Sequence, residues 1–395
     1  MRLTSRDDPA EPGTPVRHTS SVSAIFTPAV IVRILLGWAA FLALLFAHPL
    51  LAGPLPTAAL SIVLAAIVAV IIVCAGSVVT QAEHLARRLG DPYGTLMLTL
   101  SIVLIEVILI SAVMLGPGDH PTIARDSVMA ATMLILTLVV GAALVVGGLR
   151  HSGLRVNRIG VSAYLSLLVV LVAVTFAVPA VIGVDGAYTP AQAIPILMLT
   201  VVLYGFFLFR QTGAQSGDFR EVSTRARERS APAPRRPIGA VLQEHRAEVI
   251  ARVLVLVVTV VPIVLLSHDM AALLDEGLSR FGAPVALSGI IIAMIVFLPE
   301  AITTVRAAWM GEAQRVTNLA HGALVSCLGL TLPVVLVIGL VTGQTVVLAE
   351  SPVNLLLLGV GLLLSLTTFS AQRVTALHGA AHLFVFVLYG LSVFA

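Results

Sequence analysis

About eleven runs of roughly 18 to 25 mainly apolar residues, each long enough to cross a bilayer as a helix, follow one another along this chain. In lipid every backbone N–H and C=O must find a partner inside the protein, which confines such runs to transmembrane helices. They lie at about 28 to 50, 57 to 80, 94 to 115, 126 to 148, 160 to 182, 192 to 209, 250 to 267, 285 to 305, 317 to 341, 345 to 367 and 375 to 394. Only 11% of the 395 residues are charged and 58% are hydrophobic, whereas a soluble domain carries about 25% charge. The expectation is an all-α polytopic membrane protein with about 11 transmembrane helices in a lipid bilayer.

All 23 basic residues are arginine. Without lysine there is no Walker A loop and no Schiff-base amine, so transport would draw on an ion gradient rather than on ATP hydrolysis by this chain. The formal charge of +3 does not indicate nucleic acid, because the arginines lie between apolar runs and form no single basic face. Cys74 and Cys327 both fall inside apolar runs and read as small buried hydrophobes. No resident cofactor is expected.

The connecting segments alternate in charge. Arg87, Arg88, Arg150, Arg155, Arg158, the segment 210 to 248, Arg306, Arg315 and Arg373 fall on one side, which the positive-inside rule makes cytoplasmic. Asp119, Asp185, Asp269, Asp275, Glu276 and Glu350 fall on the other, with Arg125 and Arg280 as exceptions. The N-terminus is then inside and the C-terminus outside, in the cytoplasmic (inner) membrane of a bacterium. Residues 1–27 read as a disordered cytoplasmic tail and 28–50 as an extra transmembrane helix. The segments 57–209 and 249–395 form two five-helix halves, joined by a flexible arginine-rich cytoplasmic linker at 210–248.

The halves resemble each other. Glu83, Leu85, Arg87, Gly90 and Pro92 recur as Glu276, Leu278, Arg280, Gly282 and Pro284, at an offset of 192 to 193 residues. Asp126, Gly141 and Gly147 match Asn318, Pro333 and Gly339. Five spans separate equivalent helices, so these cross in opposite directions: two inverted-topology five-helix repeats, with a substrate site at their interface near mid-membrane.

Each half carries one glutamate within an otherwise apolar span, Glu106 in one and Glu300 in the other. A charge there costs about 2.5 to 3.5 kcal/mol even on the lenient insertion scale, so it persists where something ionic uses it. Pro299 lacks an N–H and should free the carbonyl of Ile295, kinking the helix beside Glu300; Ile105 stands at the equivalent place before Glu106. The following spans supply Asp126, Thr132 and Thr137 in one half and Asn318, His321 and Ser326 in the other. Two carboxylates match the charge of a Ca²⁺ ion, which takes six to eight oxygen ligands. Two protons would replace it when it leaves, since a doubly charged pair in low dielectric is costly.

The runs AEHLARRLGDPYGTLMLTLSIVLIEVILISAVML, QRVTNLAHGALVSCLGLTLPVV and GAAHLFVFVLYG resemble bacterial ChaA-type calcium:proton antiporters of the cation/calcium exchanger superfamily, in patches over about 50 to 395. The resemblance implies an eleven-helix antiporter with Glu106 and Glu300 as cation and proton ligands, and Asp126, Asn318 and Ser326 as secondary polar contributors. It implies Ca²⁺ first, with Na⁺ or K⁺ as alternatives.

Other readings stay open at this level. Asp126 suits the cap of the helix it opens, Ser326 and Thr132 can bond back to their own helices, and His321, His378 and His382 suit packing. A proton-independent channel would use the same glutamates as a selectivity ring. An intramembrane enzyme would need a nucleophile with its base or a complete metal motif, and the sequence offers neither.

Overall fold

The computed structural model describes residues 25–51, 56–89, 93–115, 121–151, 153–221, 246–283 and 286–394. Asp119, most of the tail expected at 1–27 and most of the linker expected at 210–248 lie outside the described residues. The helices are α1 (Pro28–Leu51), α2 (Thr57–Leu89), α3 (Tyr93–Met114), α4 (Ile123–His151), α5 (Arg158–Ile182), α6 (Pro190–Thr212), α7 (Arg246–Arg280), α8 (Ala286–Val296), α9 (Leu298–Met310), α10 (Ala313–Thr342), α11 (Pro352–Ser370) and α12 (Ala376–Ser392). Among the described residues eight helices are long and apolar enough to cross a membrane, or nine if the bent pair α8 and α9 is one span. The 22-residue α3 and the 17-residue α12 are further apolar helices.

Polar residues mark where these helices begin. Asn157 accepts a hydrogen bond from the Ile159 amide at the start of α5, and Ser351 does so from Asn354 at the start of α11. Helices α9 and α10 end on Gly311 and Gly343, whose φ of 79° and 74° suits glycine. α4 and α10 are buried along most of their length, whereas the outer helices turn large apolar side chains such as Phe46, Leu199, Phe209 and Leu363 outward, as lipid contact requires.

Contacts follow a pairwise scheme. α3 packs on α10 as α9 packs on α4; α6 packs on α10 as α12 packs on α4; α2 and α7 pack on each other. The α4–α12 contact is close: a Cβ added at Gly148 would stand 2.2 Å from the Ala376 amide nitrogen, and one at Gly379 would stand 2.6 Å from the Gly141 carbonyl oxygen.

The connections gather at two ends. At one, Leu154 and Val374 exchange backbone hydrogen bonds, His151 contacts the Trp309 carbonyl at 2.9 Å, and Arg150 lies 4.0 Å over the Trp309 ring. At the other, the Val347 amide bonds Pro121, Leu348 and Ala349 bond the Gly186 carbonyl, and Glu350 bonds that of Phe176. The arginine-bearing connections around 150 and 373 therefore share one end. Asp185 and Glu350 belong to the opposite one.

The kink expected beside Glu300 breaks the span 285 to 305 at Phe297, with α8 and α9 bent by 57°, because Pro299 cannot continue the ladder of α8. Three departures from the sequence expectations have local causes. The first half carries its irregularities in later helices, as π-helical stretches at Leu134–Val139 within α4 and Ala173–Ala177 within α5. The span expected to start at 345 starts instead at Pro352: residues 345–351 run extended, burying Val346, Leu348 and Glu350 alternately. The linker expected to begin at 210 packs at its start, where the short turn Ser216–Phe219 buries Phe219 against Tyr164.

Candidate functional site

α10 lies between the two glutamate-bearing helices, packing on α3 to one side and α9 to the other. Glu106 is 5% exposed and Glu300 2% exposed, and the two are within electrostatic range of each other. Glu300 is the third residue of α9, so the break at Phe297 places its carboxylate at a helix N-terminus, where the backbone dipoles favour negative charge. Glu106 has no such end beside it, since α3 runs unbroken from Tyr93 to Met114.

Partners for these carboxylates are few. The Cys327 thiol donates to Glu106 Oε1 at 3.2 Å, while Glu106 Oε2 and both oxygens of Glu300 have no hydrogen-bond partner among the described residues. The neighbouring hydroxyls turn away: Thr303 bonds back to the Pro299 carbonyl at 2.8 Å and Thr304 to the Glu300 carbonyl at 2.7 Å. A buried polar group left unpaired costs about 1 to 3 kcal/mol, and a buried charge costs more. Such a pair calls for a positive partner.

The secondary residues have partners of their own. Asp126, grouped with the ligands from the sequence, sits half-exposed in the first turn of α4, where Arg125 pairs with it at 2.8 Å. The same guanidinium donates to the Ala349 carbonyl at 3.1 Å and lies 3.8 Å from Glu350, so Asp126 belongs to an ionic tie at the end of the bundle. An acidic residue there is well placed for the α4 dipole. Asn318 is buried, but its amide donates to the Phe219 carbonyl at 2.7 Å and its oxygen accepts from Gln314 at 3.0 Å. Gln314 also accepts from the Asn157 amide at 2.8 Å, and Gln211 donates to the Tyr164 hydroxyl at 2.6 Å. This network fastens the packed start of the linker to α5, α6 and α10. Ser326 accepts from the Tyr204 hydroxyl at 3.0 Å on the α6 side of α10.

Thr132 and Thr137 bond back to the carbonyls of Val128 and Met133. His378 bonds the Thr375 amide at the start of its own helix, and His382 reaches the Leu136 carbonyl in the π-helical stretch of α4 at 3.0 Å, so the two do not converge on a metal. His321 is buried, stacked on Tyr164 and edge-on to Phe369.

One residue at the pair escaped sequence reasoning. Cys327, read as a small hydrophobe, is fully buried, touches Glu106 and lies within electrostatic range of both glutamates. Its place in the polar run of α10 beside Ser326 was the available signal.

The chain is similar to known proteins over most of its length. The family model described as "Sodium/calcium exchanger protein" matches residues 59–213 and 251–395. A putative ionic transporter, y4hA, of Sinorhizobium fredii is 34% identical over 318 residues, covering 79% of this chain and 83% of that protein. The sodium-potassium/proton antiporter ChaA of Escherichia coli is 30% identical over 319 residues, covering 81% of this chain and 85% of that protein. The crystal structure of the H⁺/Ca²⁺ exchanger CAX has a similar fold, with a TM-score of 0.63 at 11% identity over 92% of this chain and 89% of that one.

Proposed function

The chain belongs to the sodium/calcium exchanger protein family, and we propose that it is a secondary cation:proton antiporter whose Glu106 and Glu300 alternately bind a cation and protons. The single observation that carries this reading is the pair itself, with three carboxyl oxygens left without a protein partner among the described residues. Two carboxylates in a water-excluded interior balance one divalent ion or two protons. With neither bound, the pair would face alternating access doubly charged, which is the costly state. Coupling follows, because each cargo leaves only as the other arrives.

The fold supports the route. The pairwise contact scheme is what two inverted repeats, 57–209 and 249–395, would give, and it brings the glutamates of the two halves against one helix. The bend beside Glu300 and the π-helical stretch in α4 supply the irregular backbone where carbonyls become available to a hard cation. Ca²⁺ is the favoured cargo, since two carboxylates neutralise it. Na⁺ or K⁺ with one carboxylate protonated is the alternative, in keeping with the name of the Escherichia coli relative. The arginine-bearing end faces the cytoplasm of a bacterial inner membrane, with the N-terminus inside and the C-terminus outside.

Everted membrane vesicles carrying a proton gradient test this. Adding Ca²⁺ should dissipate the gradient, and Glu106→Gln and Glu300→Gln should each abolish that response. Cation flux that ignores the proton gradient would favour a channel. Unchanged exchange in both variants would remove the carboxylates from the mechanism.

A further inference from the structure

Helix α7 runs from Arg246 to Arg280 with Pro262 inside it. A proline has no N–H, so the carbonyl four residues earlier, that of Val258, loses its partner in the helix ladder. Val258 is 39% exposed within an apolar stretch, where acyl chains offer its carbonyl no donor. The donor comes from another helix: the indole N–H of Trp38 in α1 bonds the Val258 carbonyl at 3.1 Å. Trp38 stands in the middle of an apolar span, away from the headgroup level, so its own N–H requires an acceptor as much as that carbonyl requires a donor. The backbone beside it is shaped for this approach. A Cβ added at Gly37 would stand 3.1 Å from both the Pro262 ring and the Cys74 sulfur, so glycine lets α1 settle against α7 and α2 at this level. The Cys74 thiol in turn donates to the Arg33 carbonyl at 3.4 Å, about one turn before Gly37.

α2, the long helix that pairs with α7, contains no proline and requires no such donor. α7 also packs on α3, which carries Glu106, and on α8, which leads into the break before Glu300. Its course past Pro262 thus adjoins both glutamate-bearing segments. Resting on the exchanger reading above, we infer that Trp38 is a positioning residue for exchange: its indole supplies the hydrogen bond that Pro262 removes from α7, and so holds that helix on its course beside the segments of Glu106 and Glu300. α1 itself packs on α2 and α7, so Trp38 acts through α7 and not on the cargo. Losing its N–H therefore shows in the rate of exchange rather than in the cation concentration that half-saturates it. The helix that stands outside the two halves gains a task in transport.

The test compares the full natural chain with Trp38→Phe, Pro262→Ala and the two combined, by Ca²⁺-driven proton exchange in everted vesicles. Trp38→Phe keeps an aromatic ring but no donor, and should slow maximal exchange by about fivefold while half-saturating Ca²⁺ stays within about twofold. Pro262→Ala returns an N–H to the Val258 carbonyl, so in that background Trp38→Phe should change the rate by less than about twofold. Lost packing would not be rescued in this way. Size-exclusion profiles check folding; should Trp38→Phe fold poorly, benzothienylalanine introduced at position 38 keeps the bicyclic ring and replaces its N–H with sulfur. An unchanged rate in the chains without the donor overturns the assignment and leaves the exchanger reading standing. So does equal slowing by Trp38→Phe with and without Pro262, or a loss that appears in half-saturating Ca²⁺ instead of rate. If the natural chain shows no exchange at all, the exchanger reading falls and this inference with it.

Discussion

Replacing Glu300 with methionine separates a cargo site from a structural tie by the sign of a stability change. If the carboxylate held helices together through a buried ion pair or hydrogen bond, removing it would strand its partner and cost about 3 to 5 kcal/mol. Neither oxygen of Glu300 has such a partner among the described residues, and the side chain is 2% exposed. Methionine is of similar volume and removes one unpaired buried carboxyl, worth about 1 to 3 kcal/mol by the cost of an unsatisfied group. It also takes away the carboxyl that repels Glu106 whenever both are ionised. Glu300→Met is therefore expected to stabilise the protein by about 1 to 3 kcal/mol while abolishing exchange. The assay is thermal unfolding of the purified chain in Ca²⁺-free detergent solution, paired with the vesicle exchange measurement. A destabilisation of about 3 kcal/mol or more with exchange retained would refute the reasoning.

Other substitutions sort the remaining residues. Asp126→Asn should shift stability by less than about 1 kcal/mol and leave exchange within twofold, because its ion pair is half-exposed; loss of exchange would restore it to the cation site. Asn318→Ala should cost about 1 to 3 kcal/mol by unpairing the Phe219 carbonyl and Gln314, with unfolding temperature as the readout and an unchanged Ca²⁺ affinity as the check. Gly148→Ala should destabilise the protein by about 1 to 3 kcal/mol, read as a lower unfolding temperature, because its Cβ would meet the Ala376 backbone; a neutral result would mean that α4 and α12 separate freely.

The class and most spans were legible because lipid leaves so few options: an apolar run of sufficient length becomes a helix, and Pro299 announces the break beside Glu300. The misplaced start of α11 shows the limit of run length as a signal. Residues 345–351 are largely apolar, but Val346, Leu348 and Glu350 alternate into the interior, and the amides of 347–350 are met by the carbonyls of Pro121, Gly186 and Phe176. Period 2 rather than mean hydropathy carried that information. At the site, the two glutamates stood out because a mid-span carboxylate is costly wherever it lies. Asp126 and Asn318 were harder to read, because a polar residue near a helix start looks the same whether it ties helices, caps one or binds an ion. Which it does depends on Arg125 and on Phe219, and the second of these lies about 99 residues away in sequence. Cys327 was missed since a buried thiol and a buried hydrophobe look alike within an apolar run; Ser326 beside it was the one hint, and the contact with Glu106 shows the difference.

Binding stoichiometry tests the central claim most directly. Isothermal titration of the purified chain with Ca²⁺, in buffers of different ionisation enthalpy, counts ions bound and protons released together. A single site shared by Glu106 and Glu300 predicts one Ca²⁺ per chain, proton release on binding, and loss of both in either Glu→Gln variant alone. Two independent sites, or full binding retained when either carboxylate is neutralised, would contradict it.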